Sequence, residues 1–126
     1  LMIEINGGFT NIKQCIEALI YFDGVMVGRS AYKNPLSWNE IDQKIYGDSK
    51  KIKKASKIIC SLIPYIENHL RFGGQTWDIC KHLIHLINGF PNAKILRHQI
   101  TTKSIKKELS VDYLIKLTTK LYEMGY

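Results

Sequence analysis

The sequence predicts an α/β segment followed by an all-α segment, and three observations carry that division. Two short runs near the start, "MIEI" (residues 2–5) and "GVMVG" (24–28), are apolar or β-branched and bounded by glycine, as strands are. Between them apolar residues recur at helical spacing. From Ser37 onward every periodic pattern is helical, with start and stop signals around each segment. The change of texture falls near residues 35–48, giving segments 1–47 and 48–126.

In the first segment, "TNIKQCIEALIYF" places Ile12, Cys15, Ile16, Leu19 and Ile20 at helical spacing, with Thr10 or Asn11 as the cap. A strand–helix–strand of this length implies two parallel strands joined by a right-handed crossover. Two parallel strands alone leave both edges open and one face uncovered. The segment therefore calls for a sheet supplied by something else.

In the second segment, Ser37 and Glu40 have the spacing of a capping box, and Gly47 ends the short helix that follows. From Ser49 to about Phe72 an apolar stripe runs through Ile52, Ala55, Ile59, Leu62, Ile66 and Leu70. Pro64 lies inside it and is expected to kink the helix or split it. "TWDICKHLIHLING" predicts a helix with Thr76 as N-cap and Gly89 as C-cap, and "NAKILRHQI" a short one. The last helix, "SVDYLIKLTTKLYEMG", turns Val111, Leu114, Ile115, Thr118 and Leu121 inward.

Hydrophobic residues make up 45% of the 126 and charged residues 23%, which supports a packed core and excludes global disorder. The net charge of +7, from 18 basic and 11 acidic residues, favours a polyanionic partner, with nucleic acid ahead of anionic lipid. A chain rich in Lys, Ile and Asn carries the same excess without any partner. The three cysteines, Cys15, Cys60 and Cys80, are widely spaced and form no CxxC. With no secretory signal and no bilayer-length apolar run, they read as structural core thiols of a reduced, cytoplasmic protein. Leu1 ahead of Met2 reads as a sign of a fragment.

His82 and His85 are spaced H-x-x-H near Cys80, but no third and fourth ligand converge in the sequence, so no metal site is expected. Lys50, Lys51, Lys53, Lys54 and Lys57 crowd the expected start of the long helix, against its macrodipole. They are either a solvated face or a surface for an external anion. Trp38, Tyr65, Trp77 and Phe90 either stack on bases or pack the core.

The chemistry concentrates in two glycine loops. In "NGGFTN" (6–11) the glycines free the backbone to turn toward an anion, and in "VGRSAY" (27–32) the Gly28 N–H and the Arg29 guanidinium can hold phosphate oxygens. Each motif alone is as well explained by a turn. Two consecutive β/α loops with phosphate features match the usual phosphate site of a (β/α)8 barrel, built by the loops after strands seven and eight.

Those residues, "IEINGG" and "DGVMVGRSAYKNP", resemble the seventh and eighth strands of the tRNA-dihydrouridine synthases, most closely the A subfamily. "LIPYIENHL", "KHLIHLINGFPNAKILRH" and the terminal helix resemble the helical domain that follows the barrel in that family. The resemblance implies the last two strands of a TIM barrel, an α/β remnant over 1–47, followed by a helical tRNA-binding bundle over 48–126. It implies membership in a family that uses flavin mononucleotide (FMN) and NADPH to reduce D-loop uridine of tRNA, with a cysteine as general acid. Asn6, Gly7, Gly8, Gly28 and Arg29 fall on the family's contacts to the flavin phosphate. Lys94 and Arg97 fall on a pair of arginines that contact tRNA. The first of these is lysine here, Leu96 stands at a tryptophan position, and His98 stands where an arginine follows.

None of the three cysteines falls on the catalytic position, and six strands that precede these two in the family have no counterpart. The chain by itself is therefore expected to be catalytically incompetent and, with only the phosphate end of the flavin site present, not to retain FMN, with a missing barrel fragment or self-association completing the sheet. The alternative reading is a non-catalytic tRNA- or RNA-binding helical module, or an inactive remnant.

Overall fold

Strands β1 (Glu4–Asn6) and β2 (Gly24–Met26) pair in parallel, with Glu4 opposite Gly24 and Asn6 opposite Met26. They form a two-stranded sheet in the computed structural model, which describes residues 1–126. Helix α1 (Ile12–Ala18) makes the crossover. It starts where the sequence places the cap, because the Asn11 carboxamide oxygen accepts from the Gln14 N–H at 3.0 Å. Helix α2 (Arg29–Lys33), a 3₁₀ turn (Pro35–Trp38) and helix α3 (Ile41–Tyr46) complete this unit, which runs from Leu1 to Ile52. Its core is small. Ile12, Cys15 and Trp38 are buried, with Phe9, Val25, Val27, Ala31, Ile41 and Ile45 packed around them.

The capping box expected at Ser37 does not form. Ser37 lies inside the 3₁₀ turn and its hydroxyl donates to the Asn34 carbonyl at 2.7 Å, while Glu40 pairs with Lys44. Gly47 does end α3, in the left-handed conformation at φ 68°.

The second unit, Lys53–Tyr126, is entirely helical: α4 (Ala55–Arg71), α5 (Thr76–Leu83) continued by a 3₁₀ turn (Ile84–Ile87), α6 (Ala93–Ile105) and α7 (Val111–Glu123). Helix α4 begins at Ala55 rather than Ser49, so Ile52 lies outside it, and it runs unbroken through Pro64. Pro64 leaves one carbonyl a turn earlier without its usual donor, a cost that packing of Ala55, Ile59 and Ile66 against other helices outweighs. The principal packing is α4 against α7. Leu114, Leu117, Thr118 and Leu121 are the buried side chains of α7, and Ile115, expected inside, is exposed.

One hydrogen bond and one ring contact hold the unit's ends. The Ser56 hydroxyl donates to the Tyr126 carbonyl, and the Tyr126 ring stacks on Phe90 with centroids 3.9 Å apart. Helix α5 is capped by Gln75 rather than Thr76: the Gln75 N–H donates to the Asp78 carboxylate at 2.8 Å, and the Gln75 side chain accepts from the Asp78 N–H. No helix of the chain is long and apolar enough to cross a membrane.

Candidate phosphate cavity and candidate RNA-facing helix

The ends of β1 and β2 point their following loops into one open cavity of about 590 Å³, lined by Asn6, Gly7, Gly8, Gly28 and Arg29 together. The two loops are tied to each other, since the Ser30 hydroxyl donates to the Thr10 carbonyl at 3.3 Å. Gly7 and Gly8 have φ of 152° and 69°, and a Cβ on either would meet nothing within 4 Å. Glycine is required there by backbone conformation and not by space. Gly28 has a negative φ, and a Cβ on it would meet only the Met26 side chain, at 3.6 Å.

The lining of this cavity contains no carboxylate and two cations, Arg29 and Lys33. The guanidinium of Arg29 and the backbone of two glycine loops form a donor set that fits a phosphate group, including the phosphate end of a flavin mononucleotide. Sequence reasoning missed Lys33. Its spacing of four from Arg29 on α2 puts both on one helix face, which was the available signal.

Lys94 and Arg97 lie three residues apart on α6, a spacing that turns both to one side. Lys94 is exposed. Arg97 is half-buried, and its Nη1 donates to the Asn88 side chain at 2.6 Å, so part of its donor fork is already used in holding α6 to the preceding turn. Leu96 is buried among the helices and His98 is exposed. Of the lysine run, Lys50, Lys51 and Lys53 precede α4, Lys54 is its N-cap and only Lys57 lies inside it; Lys50 pairs with Asp48 at 3.2 Å.

The remaining candidates divide clearly. Trp38 and Phe90 are packing residues, while Tyr65 is exposed. No three His, Cys, Asp or Glu side chains converge as metal ligands. Cys15 and Cys80 are buried, and burial pushes the Cys15 thiol up and the Cys80 thiol to about 11, so both are protonated at neutral pH. Cys60, expected in or near the core, is exposed because it falls on the outer side of α4.

The profile of the dihydrouridine synthases (Dus) matches residues 1–121, from the cavity loops into the last turn of α7. The chain belongs to the dihydrouridine synthase family. Among curated relatives, it is 38% identical over 117 residues to the tRNA-dihydrouridine(20/20a) synthase of Shewanella oneidensis, covering 93% of this chain and 35% of that protein. It is 39% identical over 105 residues to the enzyme of the same name from Synechocystis sp., covering 83% and 31%. The Vibrio vulnificus relative is 32% identical over 121 residues, covering 96% and 37%. The chain thus spans about a third of the length of the dihydrouridine synthases it matches.

Proposed function

We propose that this chain is the C-terminal part of a flavin-dependent tRNA-dihydrouridine synthase of the A subfamily, which reduces D-loop uridine of tRNA to dihydrouridine. Residues 1–47 supply the end of the TIM barrel and 48–126 the helical tRNA-binding domain. The observation that carries this reading is the family match across both units in one continuous stretch. The names of the relatives, tRNA-dihydrouridine(20/20a) synthase, support the subfamily and the substrate.

In this reading Asn6, Gly7, Gly8, Gly28 and Arg29, with Lys33, hold the flavin phosphate through backbone N–H groups and two cations. Flavin mononucleotide, reduced by NADPH, supplies the hydride. Lys94 and Arg97 contact the tRNA backbone and orient it, Lys94 as a point charge and Arg97 through the donors that Asn88 leaves available. The buried, protonated thiols of Cys15 and Cys80 are packing groups and not the family's general acid. The reaction centre then lies on barrel strands other than β1 and β2, and the setting is cytoplasmic, where tRNA is modified.

The test is tRNA binding by the chain, scored against salt, together with assay for dihydrouridine after incubation with FMN, NADPH and unmodified tRNA. Binding without dihydrouridine formation is expected. Dihydrouridine formed by the chain alone overturns the division of labour, and failure to bind tRNA overturns the role of the helical unit.

A further inference from the structure

A second cavity, of about 290 Å³, opens in the helical unit where the N-terminus of α5 faces the turn between α6 and α7. Its polar lining is Gln75, Thr76, Ser104 and Lys107. Thr76 is 6% exposed, and no group in the chain hydrogen-bonds its hydroxyl. That oxygen is not sealed in apolar packing, since the indole nitrogen of Trp38 is the one fully enclosed side-chain donor or acceptor without a partner. The Thr76 hydroxyl therefore opens onto the cavity it lines. Open to the cavity, a hydroxyl with no protein partner is available to water or to a ligand oxygen.

The other groups around the opening favour an anion. The Thr76 and Trp77 N–H groups belong to the first turn of α5 and have no acceptor, whereas the Asp78 N–H is taken by Gln75. Neighbouring carboxylates are engaged elsewhere. Asp78 binds His69 and the Gln75 N–H, and Glu108 pairs with Lys103 at 3.7 Å. Lys107 has no ion-pair partner. It occupies the left-handed position after α6 at φ 57°, with the Lys107 N–H on Ser104 and the Glu108 N–H on Lys103, where glycine is the favoured residue.

We propose that this cavity is a second anion site, seating one phosphate of the RNA backbone between the Lys107 ammonium, the Thr76 hydroxyl and the free N–H groups of α5. The RNA assignment rests on the reading of the helical unit given above; the anion site rests on the cavity alone. Ser104 is ten residues beyond Lys94 on α6, about 15 Å at helical rise, so the two positions meet different phosphates of one strand.

The experiment titrates the chain with inorganic phosphate while following the Thr76 and Trp77 amide resonances, and separately measures tRNA affinity against salt. Lys107→Gly removes the ammonium at a position glycine suits, so the fold is retained, and Thr76→Val removes the hydroxyl at nearly equal shape. The parent should show saturable shifts of both amides, both variants should lose them, and Lys107→Arg should keep them. Lys107→Gly should also lower the slope of log affinity against log salt by about 0.7–0.9, the loss of one phosphate contact.

Absence of saturable shifts in the parent, or equal shifts in Lys107→Gly, overturns the site. Shifts that depend on Lys107 with an unchanged tRNA slope leave a free-anion site and overturn the RNA assignment. A slope lowered by Lys94→Ala/Arg97→Ala but not by Lys107→Gly overturns this inference and leaves the proposed function standing. No tRNA binding by any form, with amide shifts intact, overturns the RNA assignment together with the proposed role of the helical unit and leaves the anion site standing.

Discussion

His69 Nε2 lies 2.9 Å from Asp78 Oδ2, joining the last turn of α4 to the first turn of α5. The same carboxylate oxygen accepts the Gln75 N–H at 2.8 Å, so one side chain both caps α5 and fastens it to α4. The His69 hydrogen bond, then the Gln75 N–H, hold the Asp78 carboxyl below its ordinary value of 3.8. A lowered carboxyl value in the folded state contributes stability that is complete above the unfolded value. That contribution is lost as pH falls through the lowered one. Melting temperature measured from about pH 5 down to about pH 2 should therefore fall less steeply for Asp78→Asn than for the parent. Parallel acid limbs would show that the pair does not matter to folding.

Gly74 makes room for that pair. A Cβ there would overlap the His69 ring, which the Asp78 contact holds in place. Gly74→Ala should displace the ring and break the contact. Combining it with Asp78→Asn should then cost less than the sum of the two single changes, a coupling that a double-mutant cycle reads directly.

Ile66 and Leu121 are both fully buried, one on each helix of the α4–α7 pair. Truncating either to alanine should cost about 2–5 kcal/mol in chemical denaturation. Ile105→Ala, at a side chain 79% exposed, should change stability by less than about 0.5 kcal/mol. Equal effects at the two kinds of position would mean that the helical unit is not packed in this way.

At the first cavity the groups available suit a phosphate more than a ring. The chain should not retain FMN through purification, but in titration its weak binding of FMN should exceed that of riboflavin, and Arg29→Ala should weaken that binding about tenfold or more, the worth of a charge-assisted hydrogen bond. Equilibrium titration followed by flavin fluorescence checks both. A chain that binds riboflavin as well as FMN would remove the phosphate assignment.

The two units should differ in protection. Residues 1–52 rest on three buried side chains and a two-stranded sheet, and the other buried apolar residues all belong to 53–126. Hydrogen exchange and limited proteolysis should find opening and cutting before residue 36 first, with protection in α4 and α7. The opposite order would make the strand pair the organising core.

Much of this was legible in the residues. The helices of 53–126 follow apolar periodicity, and Asn11, Ser110 and Gly47 act as the caps their residue types suggest. The failures have local causes. Ser37 was drawn into a 3₁₀ turn by Pro35, so its capping box with Glu40 never formed, and Gln75, a weaker signal than Thr76, became the cap because Asp78 reciprocates. Ile115, expected inside, is exposed while Leu117 is buried, because only the partner helix decides which edge of a stripe is covered. At the first cavity the sequence pointed to both loops, but Lys33 emerged only once α2 placed it beside Arg29. The second cavity had no linear signal, since Thr76 and Lys107 are brought together by the packing of α5 against α6.

The pairing of α4 with α7 also bears on how the chain matures during synthesis. These helices are the first and last of their unit, so α4 leaves the ribosome before α7, its principal packing partner, has been made. A nascent chain stalled before Val111 would present an amphipathic helix without its mate, which is the kind of surface that chaperones retain.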